Sequence, residues 1–577
     1  MTRGAFLSVL LLRALLARDD ARSNAFYRMR SGHCTMSCSG GGGVYLGQGM
    51  VRTHLQAASE SSYDSVDKSV RSEQRFRVVV TLGVCFLLGL LLAVQAFTGG
   101  HIGNLAEYDD GVYFASAIAL VHGVLPYRDF TFLQPPLIAV WLAPWALIST
   151  ATSARFGLEL ARGATDVIPL LSVLMVAKIS WKRPRYSFLV AVGVTGLSIG
   201  TIQASQTVLL EPYLVVLCLA GLLVLNVGSD RTASSWRLIL AGALFGLAGA
   251  TKVWAIIPVA VVLWRMPEPT ARPRLQFALG VVAGFTLGAG PFVLLAPLTA
   301  FHDFVLTQAL RGPSGMVVAT RVGDLSGFQL LVLLARTLRP LGEVLAVAIV
   351  GGAVWLVIQR TRAARVASVT GAHRDDMLLR TLGVTIGLIL LAAPSYYYHY
   401  AAFYAPFLGL ALSTLPPLWR RDSSTSPKKG SLTLLSLITL GAALLIGDTV
   451  GVVRPVVENS AVPQQPVAAK GSGCVVSDAP AFEILNNSLT LGDTGCPNVI
   501  DWLGVERALV HGISGEPQDA RNAAFQRDVL HWFHAAGTVV LSPIDAGIGS
   551  LAQRYLVTHF TLSRSRPDGL RIYHRRR

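Results

Sequence analysis

The sequence predicts an all-α polytopic membrane protein of about eleven to thirteen transmembrane helices, carrying a small extracytoplasmic α/β domain at its C-terminal end. Three observations lead there. Of 577 residues, 52% are apolar and 14% charged, where soluble domains carry about 25% charged residues. Many runs stay apolar for the ~20 residues a helix needs to span the hydrocarbon core, rather than alternating in the ~10-residue segments of a membrane β-barrel. Beyond residue 453 this pattern gives way to charge and to short β-like runs.

Residues 1–76 read as a disordered cytoplasmic segment. Arg13 interrupts a short apolar start, a Ser/Gly tract surrounds Cys34 and Cys38, and a Ser-rich stretch runs to Val70, with the translational start expected near Met50. Arg71, Arg75 and Arg77 then flank Val78–Phe97, the first transmembrane helix. Basic residues on its N-terminal side put the N-terminus in the cytoplasm and the loop 99–134 outside. Further helices are predicted at 134–150, 157–179, 186–202, 206–227, 236–250, 251–265, 275–297, 341–359, 381–393, 401–416 and 430–453. The transmembrane domain is thus 77–453, in the plasma (inner) membrane. Basic loops at Arg231–Arg237, Arg265–Arg274, Arg360–Arg380 and Arg420–Lys429 read as cytoplasmic, which leaves residues 454–577 outside. Four crossings between Gln134 and Gly228 would put Arg231 on the wrong side, so one segment there is re-entrant, merged or miscounted. In the tail, Gly473–Val476, Thr538–Leu541, Tyr555–Thr561 and Leu570–Tyr573 read as strands and Asp519–His534 as a helix.

The net charge of +16 resides largely in the short loops. That is the positive-inside bias; a nucleic-acid surface would add a basic and aromatic groove pattern. None of the six cysteines has zinc-site spacing. Cys474 and Cys496, in the polar tail, are the disulfide candidates if that tail lies outside the reducing cytosol.

Chemistry concentrates between Gly103 and Pro144, where Glu107, Asp109 and Asp110 stand in a chain otherwise poor in charge. Polar groups near a bilayer are costly and mark function. Asp110–His122 has helical spacing, so the two aspartates can serve its N-terminus; alternatively Asp109 is a general base for a hydroxyl or amine. Tyr127-Arg128-Asp129 and Gln134-Pro135-Pro136 follow at the mouth of the next helix.

The pattern Asp109-Asp110-Gly111-x-Tyr113, His122-Gly123-x-x-Pro126-Tyr127-x-Asp129 and Pro135-Pro136-Leu137 resembles the first extracytoplasmic loop of GT-C glycosyltransferases. These integral-membrane enzymes include protein O-mannosyltransferases, aminoarabinose transferases of lipid A, and actinobacterial mannosyl- and arabinosyltransferases. The resemblance implies a GT-C-like fold and a catalytic acidic pair, Asp109 and Asp110. Its first member, Asp109, would be the base; most members have Asp-Glu where this chain has Asp-Asp. It also implies a sugar taken from a polyprenyl-phosphate donor, in contact with membrane lipid, and passed with inversion on the outer face. The acceptor would be a glycan, glycolipid or protein of the cell envelope, as in cell wall biosynthesis.

Further polar intrusions fit that picture. Glu211 opens an apolar helix, where the superfamily often places an acid, and a bare intramembrane carboxylate calls for a partner. Lys252 interrupts a long apolar run; it either meets a lipid phosphate or snorkels to a helix end. Tyr398 and His399 lie in the segment Ser395–Tyr400, an interfacial aromatic belt that resembles His-Tyr segments near the lipid-phosphate site of related enzymes. Arg311 and Arg321 either hold a phosphate or solvate their loop. Contacts to the substrate or the donor phosphate are therefore expected from Lys252, Arg128, His399, Tyr398, Glu211, Gln134 and Arg311. A single-base inversion, with cations stabilising the departing phosphate, needs no cofactor and no divalent metal. Two other readings compete: a transporter or flippase of lipid-linked sugars, which would show inverted repeats, and a non-catalytic envelope assembly protein.

Overall fold

The computed structural model describes residues 48–97, 100–228, 234–266, 271–327, 371–415, 474–491, 495–509, 522–542, 547–565 and 569–576, with scattered residues between 338 and 351. Contacts divide the chain into two units, 1–71 and 72–577. The described part of the first is helical: helix α1 runs Gln48–Phe97, so residues 48–76 are not the unstructured segment expected. Between residues 50 and 82 the sequence holds neither Pro nor Gly to interrupt a helix.

In the second unit, helices α2 (Tyr108–Val121), α3 (Leu137–Ala151), α4 (Ala154–Thr165), α5 (Ile168–Ile179), α6 (Arg185–Leu197), α7 (Ile199–Ala204) and α8 (Leu210–Val224) follow. Then come α9 (Ser235–Thr251), α10 (Ile256–Arg265), α11 (Arg272–Leu295), α12 (Val318–Ser326), α13 (Gly371–Ala392) and α14 (Tyr400–Ser413). Among the described residues, four stretches are long and apolar enough to cross a membrane: Val70–Phe97, Ala154–Ile179, Arg185–Ala204 and Arg272–Leu295. Shorter apolar helices, α8, α9, α10 and α14 among them, complete the bundle. This is a membrane protein. The helix expected at 430–453 lies outside the described residues, and that at 341–359 lies mostly outside them.

The bundle has two chemically distinct ends. At one, Arg77 donates to the Arg183 carbonyl (3.2 Å), Arg185 pairs with Glu73 (2.7 Å), Arg183 with Asp376 (2.8 Å), and the Gly228 amide donates to Asp375 (2.8 Å). The opposite end gathers the loop 100–136, the segment 297–317 and the C-terminal region. Helix α3 begins at that end, where Gln308 bonds the Leu133 carbonyl (2.8 Å) and Asp303 accepts from the Phe132 amide (3.2 Å). It finishes there too, since Arg155 just beyond it reaches the carbonyls of Gly103 and Leu485 (both 3.2 Å). So α3 does not cross; it exposes Val140, Trp141, Leu147 and Ile148, suited to an interface. Three crossings remain between 134 and 228, made by α4–α5, α6–α7 and α8, and the count that sequence left in conflict closes.

Helices α9 and α11 pack backbone to backbone. A Cβ on Gly246 would lie 2.1 Å from the Val281 carbonyl, and one on Gly284 2.0 Å from that of Ala243, the small-residue contact by which membrane helices approach closely.

The C-terminal region holds β1 (Cys474–Ser477), α15 (Pro480–Leu485), α16 (Trp502–Leu509), α17 (Ala523–Ala535), β2 (Ala536–Leu541), α18 (Ser550–His559), β3 (Phe560–Ser565) and β4 (Arg571–Arg575). The sheet order is β1-β2-β4-β3, with β1 parallel to β2 and the other pairs antiparallel. The strand expected at Tyr555–Thr561 is helical as far as His559, because Ala552 and Leu556, four apart, are the buried pair. Period-2 alternation sends Val476, Val539 and Leu541 into a core with Trp502, Phe525 and Phe533. Val475 and Val540 point the other way, into one cluster with Val112 and Phe114 of α2. The sheet therefore reaches the loop helix through α15, whose Phe482, Ile484 and Leu485 join the same cluster. Cys474 and Cys496 form a disulfide, Cα–Cα 5.4 Å.

Candidate active site

Helix α2 starts after Glu107, in extended backbone and without a side-chain cap. Neither aspartate caps it. Asp110 is fully buried and engages Arg162 of α4, whose Nε lies 2.9 Å from Oδ2 and whose Nη2 also donates to it. Thr207 donates to the same oxygen. The third guanidinium nitrogen, Nη1, gathers the carbonyls of His101 (2.9 Å), Ile102 (2.8 Å) and Asn104 (2.9 Å). This pair locks the loop onto the bundle. Asp109, one position earlier, is only partly buried and accepts a single 3.2 Å bond from the Tyr113 hydroxyl.

Glu107 is bonded by the Tyr398 hydroxyl. Burial pushes the Glu107 carboxyl above its usual range, and that bond only partly offsets it; burial likewise raises Tyr398. Next to Tyr398, His399 places Nδ1 3.0 Å from Glu211 Oε1. Lys252 donates to the same oxygen and lies 4.3 Å above the Tyr400 ring. Lys252 is buried, so it does not snorkel; the anion that accompanies it is Glu211. It also ends α9 in extended backbone, splitting the apolar run before α10.

Arg311 bonds the Tyr397 hydroxyl (2.7 Å) and stacks over that ring at 4.9 Å. From the C-terminal region, Arg507 faces the same tyrosine: burial opposes its charge, but the fields of Tyr397, Asp501 and Asp109 outweigh this and raise its pKa. Among the described residues, neither arginine has a carboxylate within salt-bridge distance.

The structure thus brings Asp109, Glu211, Lys252, Tyr398, His399 and Arg311 into one neighbourhood, with Asp110 behind them as its anchor. Arg128 stands apart. It pairs with its neighbour Asp129 (2.7 Å) and the Gly123 carbonyl (3.2 Å) in an exposed turn. Its guanidinium holds the Asp129 carboxyl below the usual range. Gln134 contributes its backbone, accepting from the Tyr127 hydroxyl (2.5 Å). Arg321 is spent on the carbonyls of Met316 (3.1 Å), Leu391 (3.0 Å) and Ala393. Sequence reasoning missed Arg162, whose signal was an arginine inside an apolar run, and Tyr108, Asp501 and Arg507, which carried no local signal.

No protein-family model matches the chain, and no curated protein matches its sequence. Among solved structures, ArnT from Cupriavidus metallidurans in the apo state aligns with 86% of this chain and 97% of its own, at 14% identity and TM-score 0.50. The fold is GT-C-like. The same protein bound to undecaprenyl phosphate gives TM-score 0.49 at 14% identity over 86% of this chain and 97% of its own. An oligosaccharyltransferase from Archaeoglobus fulgidus, in complex with Zn and sulfate, gives 0.42 at 14% identity over 85% of this chain and 73% of its own. At such identity the GT-C-like likeness is one of architecture, and the roles of individual residues rest on this chain's own geometry.

Proposed function

We propose that this protein is a membrane glycosyltransferase that moves a sugar from a polyprenyl-phosphate donor to a cell-envelope acceptor, with Asp109 as general base. One observation carries the reading. Of three acids within four residues, Glu107 is engaged by Tyr398 and Asp110 by Arg162, while Asp109 accepts one bond, from Tyr113, and acts on Arg507, which has no carboxylate within salt-bridge distance among the described residues. In the reaction, the acceptor hydroxyl or amine gives its proton to Asp109 as its oxygen or nitrogen bonds the anomeric carbon. The bond from that carbon to the phosphate oxygen breaks, its electron pair leaves with the phosphate, and configuration inverts. Arg311 and Arg507 meet the growing phosphate charge. Lys252, neutralised by Glu211, holds the floor on which His399 and Tyr398 sit. Asp110 supports the base without touching substrate.

The site end of the bundle is read as the outer face of the inner membrane and the basic end as cytoplasmic; the Cys474–Cys496 disulfide supports an oxidising compartment for the C-terminal region. Purified Asp109→Asn protein, given labelled polyprenyl-phosphate sugars, should lose transfer by roughly 10²–10⁴-fold with unchanged thermal stability. Transfer at the wild-type rate by the variant would refute the assignment of Asp109, and absence of transfer by the wild-type protein is what a transporter or assembly protein would give.

A further inference from the structure

Glu107, Tyr108 and Asp109 are consecutive, and each faces a different partner. Tyr108 is held by the C-terminal region. Its hydroxyl donates to Asp501 Oδ1 (2.8 Å) and accepts from the Leu503 amide (2.9 Å). Asp501 Oδ1 also accepts from the Gly504 amide (2.8 Å). Asp501 thus sits at the N-cap of α16, and the phenol is inserted into that cap, taking an amide that a helix start leaves without a partner. One turn on, a Cβ at Gly111 would lie 2.2 Å from the Ala481 amide nitrogen of α15, so only glycine permits that approach. A third contact flanks these: the Arg155 amide donates to Asn487 Oδ1 (3.0 Å) while its guanidinium bridges Leu485 and Gly103.

We propose that Tyr108 and Asp501 are positioning residues for Asp109, so that the C-terminal region is a working part of the site and sets where the Asp109 carboxylate meets the acceptor. This rests on the reading of Asp109 as the base. The mechanical argument is short. Asp109 lies in the first turn of α2, where no intrahelical bond restrains the amides, and it follows directly the residue whose side chain is fixed at both its donor and acceptor functions. A displacement of about 1 Å at a reacting group can cost 10²-fold in rate.

The test uses the full chain in detergent and three substitutions: Tyr108→Phe, Asp501→Ala and Asp501→Asn. Asparagine keeps an acceptor oxygen and is itself a good N-cap, so it separates geometry from charge. Hydrogen exchange at residues 107–112 should quicken in Tyr108→Phe and Asp501→Ala and stay at the wild-type rate in Asp501→Asn. Transfer kcat should fall at least about tenfold in the first two, with KM for the donor within about twofold, and Asp501→Asn should retain at least half. Unchanged exchange in Tyr108→Phe overturns the clamp. Faster exchange with full kcat overturns its positioning role. If wild-type protein shows no transfer with any donor while exchange responds as stated, the functional reading fails and the clamp on α2 stands.

Discussion

Replacing Asp110 by alanine tests whether the two adjacent aspartates have separate roles. The substitution leaves the Arg162 guanidinium, 1% exposed, with only three backbone carbonyls as partners. It also removes the acceptor of the Thr207 hydroxyl. Breaking a buried ion pair by removing one partner costs about 3–5 kcal/mol. The Thr207 bond, being to a charged group, would add about 1.5–3 kcal/mol in isolation, but it shares the same oxygen and the two do not sum. A loss of about 4 kcal/mol follows, a large part of the ~5–15 kcal/mol that stabilises a typical domain. Removing both charges at once, with Asp110→Leu and Arg162→Met, should cost less than the sum of the single changes by at least ~2 kcal/mol, because no uncompensated charge stays buried. In thermal-shift measurements on purified protein, Asp110→Ala should lower Tm by at least ~5 °C, whereas Asp109→Asn should stay within about a degree. Equal stability of Asp110→Ala and wild type would refute the anchoring role, and a comparable loss in Asp109→Asn would reverse the two assignments.

Burial raises Asp478 and Asp501 from 3.8 to about 6; a raised acid favours its protonated form in the fold, so that contribution is full below about 3.8 and is lost as pH climbs to about 6. Between pH 4.5 and 6.5 each should therefore subtract about 2 kcal/mol from the stability of the C-terminal region, and Asp478→Asn with Asp501→Asn should flatten that slope in urea titrations followed by proteolysis. Replacing Cys474 and Cys496 by serine opens a loop of sequence separation 22, worth about 3 kcal/mol of chain entropy. Since that loop carries α15, hydrogen exchange at both α15 and the start of α2 should quicken. Gly246→Val should prevent α9 and α11 from closing and cut the yield of folded protein severalfold, while Gly249→Ala, whose Cβ would meet nothing nearer than 3.5 Å, should be tolerated; size-exclusion profiles distinguish them.

What the sequence made legible was local. Lys252 stood out because a lysine inside an apolar run demands an explanation, and the structure supplies it by ending α9 there. The loop helix was readable from its spacing, and its start differs by two residues. The partners were another matter. Arg162 lies 52 residues from Asp110 and Thr207 lies 97 away; Tyr108 and Asp501 are 393 apart. No periodicity encodes such pairings, and a tyrosine at a helix start reads as ordinary. The misassigned strand at Tyr555–Thr561 fails for a related reason. Its aromatic and β-branched composition suits a strand, but burial of Ala552 and Leu556 decides the conformation, and burial is a tertiary fact.

The division between Asp109 and Asp110 follows from helix geometry. Successive side chains on an α-helix diverge by about 100°, so two adjacent acids cannot serve one direction. On α2 this turns Asp110 into the protein, where Arg162 and Thr207 enclose it, and leaves Asp109 towards the open side, where Lys252 and Arg507 act on it from a distance. On the proposed reading of Asp109 as the base, this acid pair has two functions, the second residue fixing the helix that the first works from. Moving the carboxylate two positions, as in Asp109→Gly with Gly111→Asp, would point it roughly 200° away and drive it into Ala481. Position 111 therefore cannot carry the carboxylate in place of Asp109.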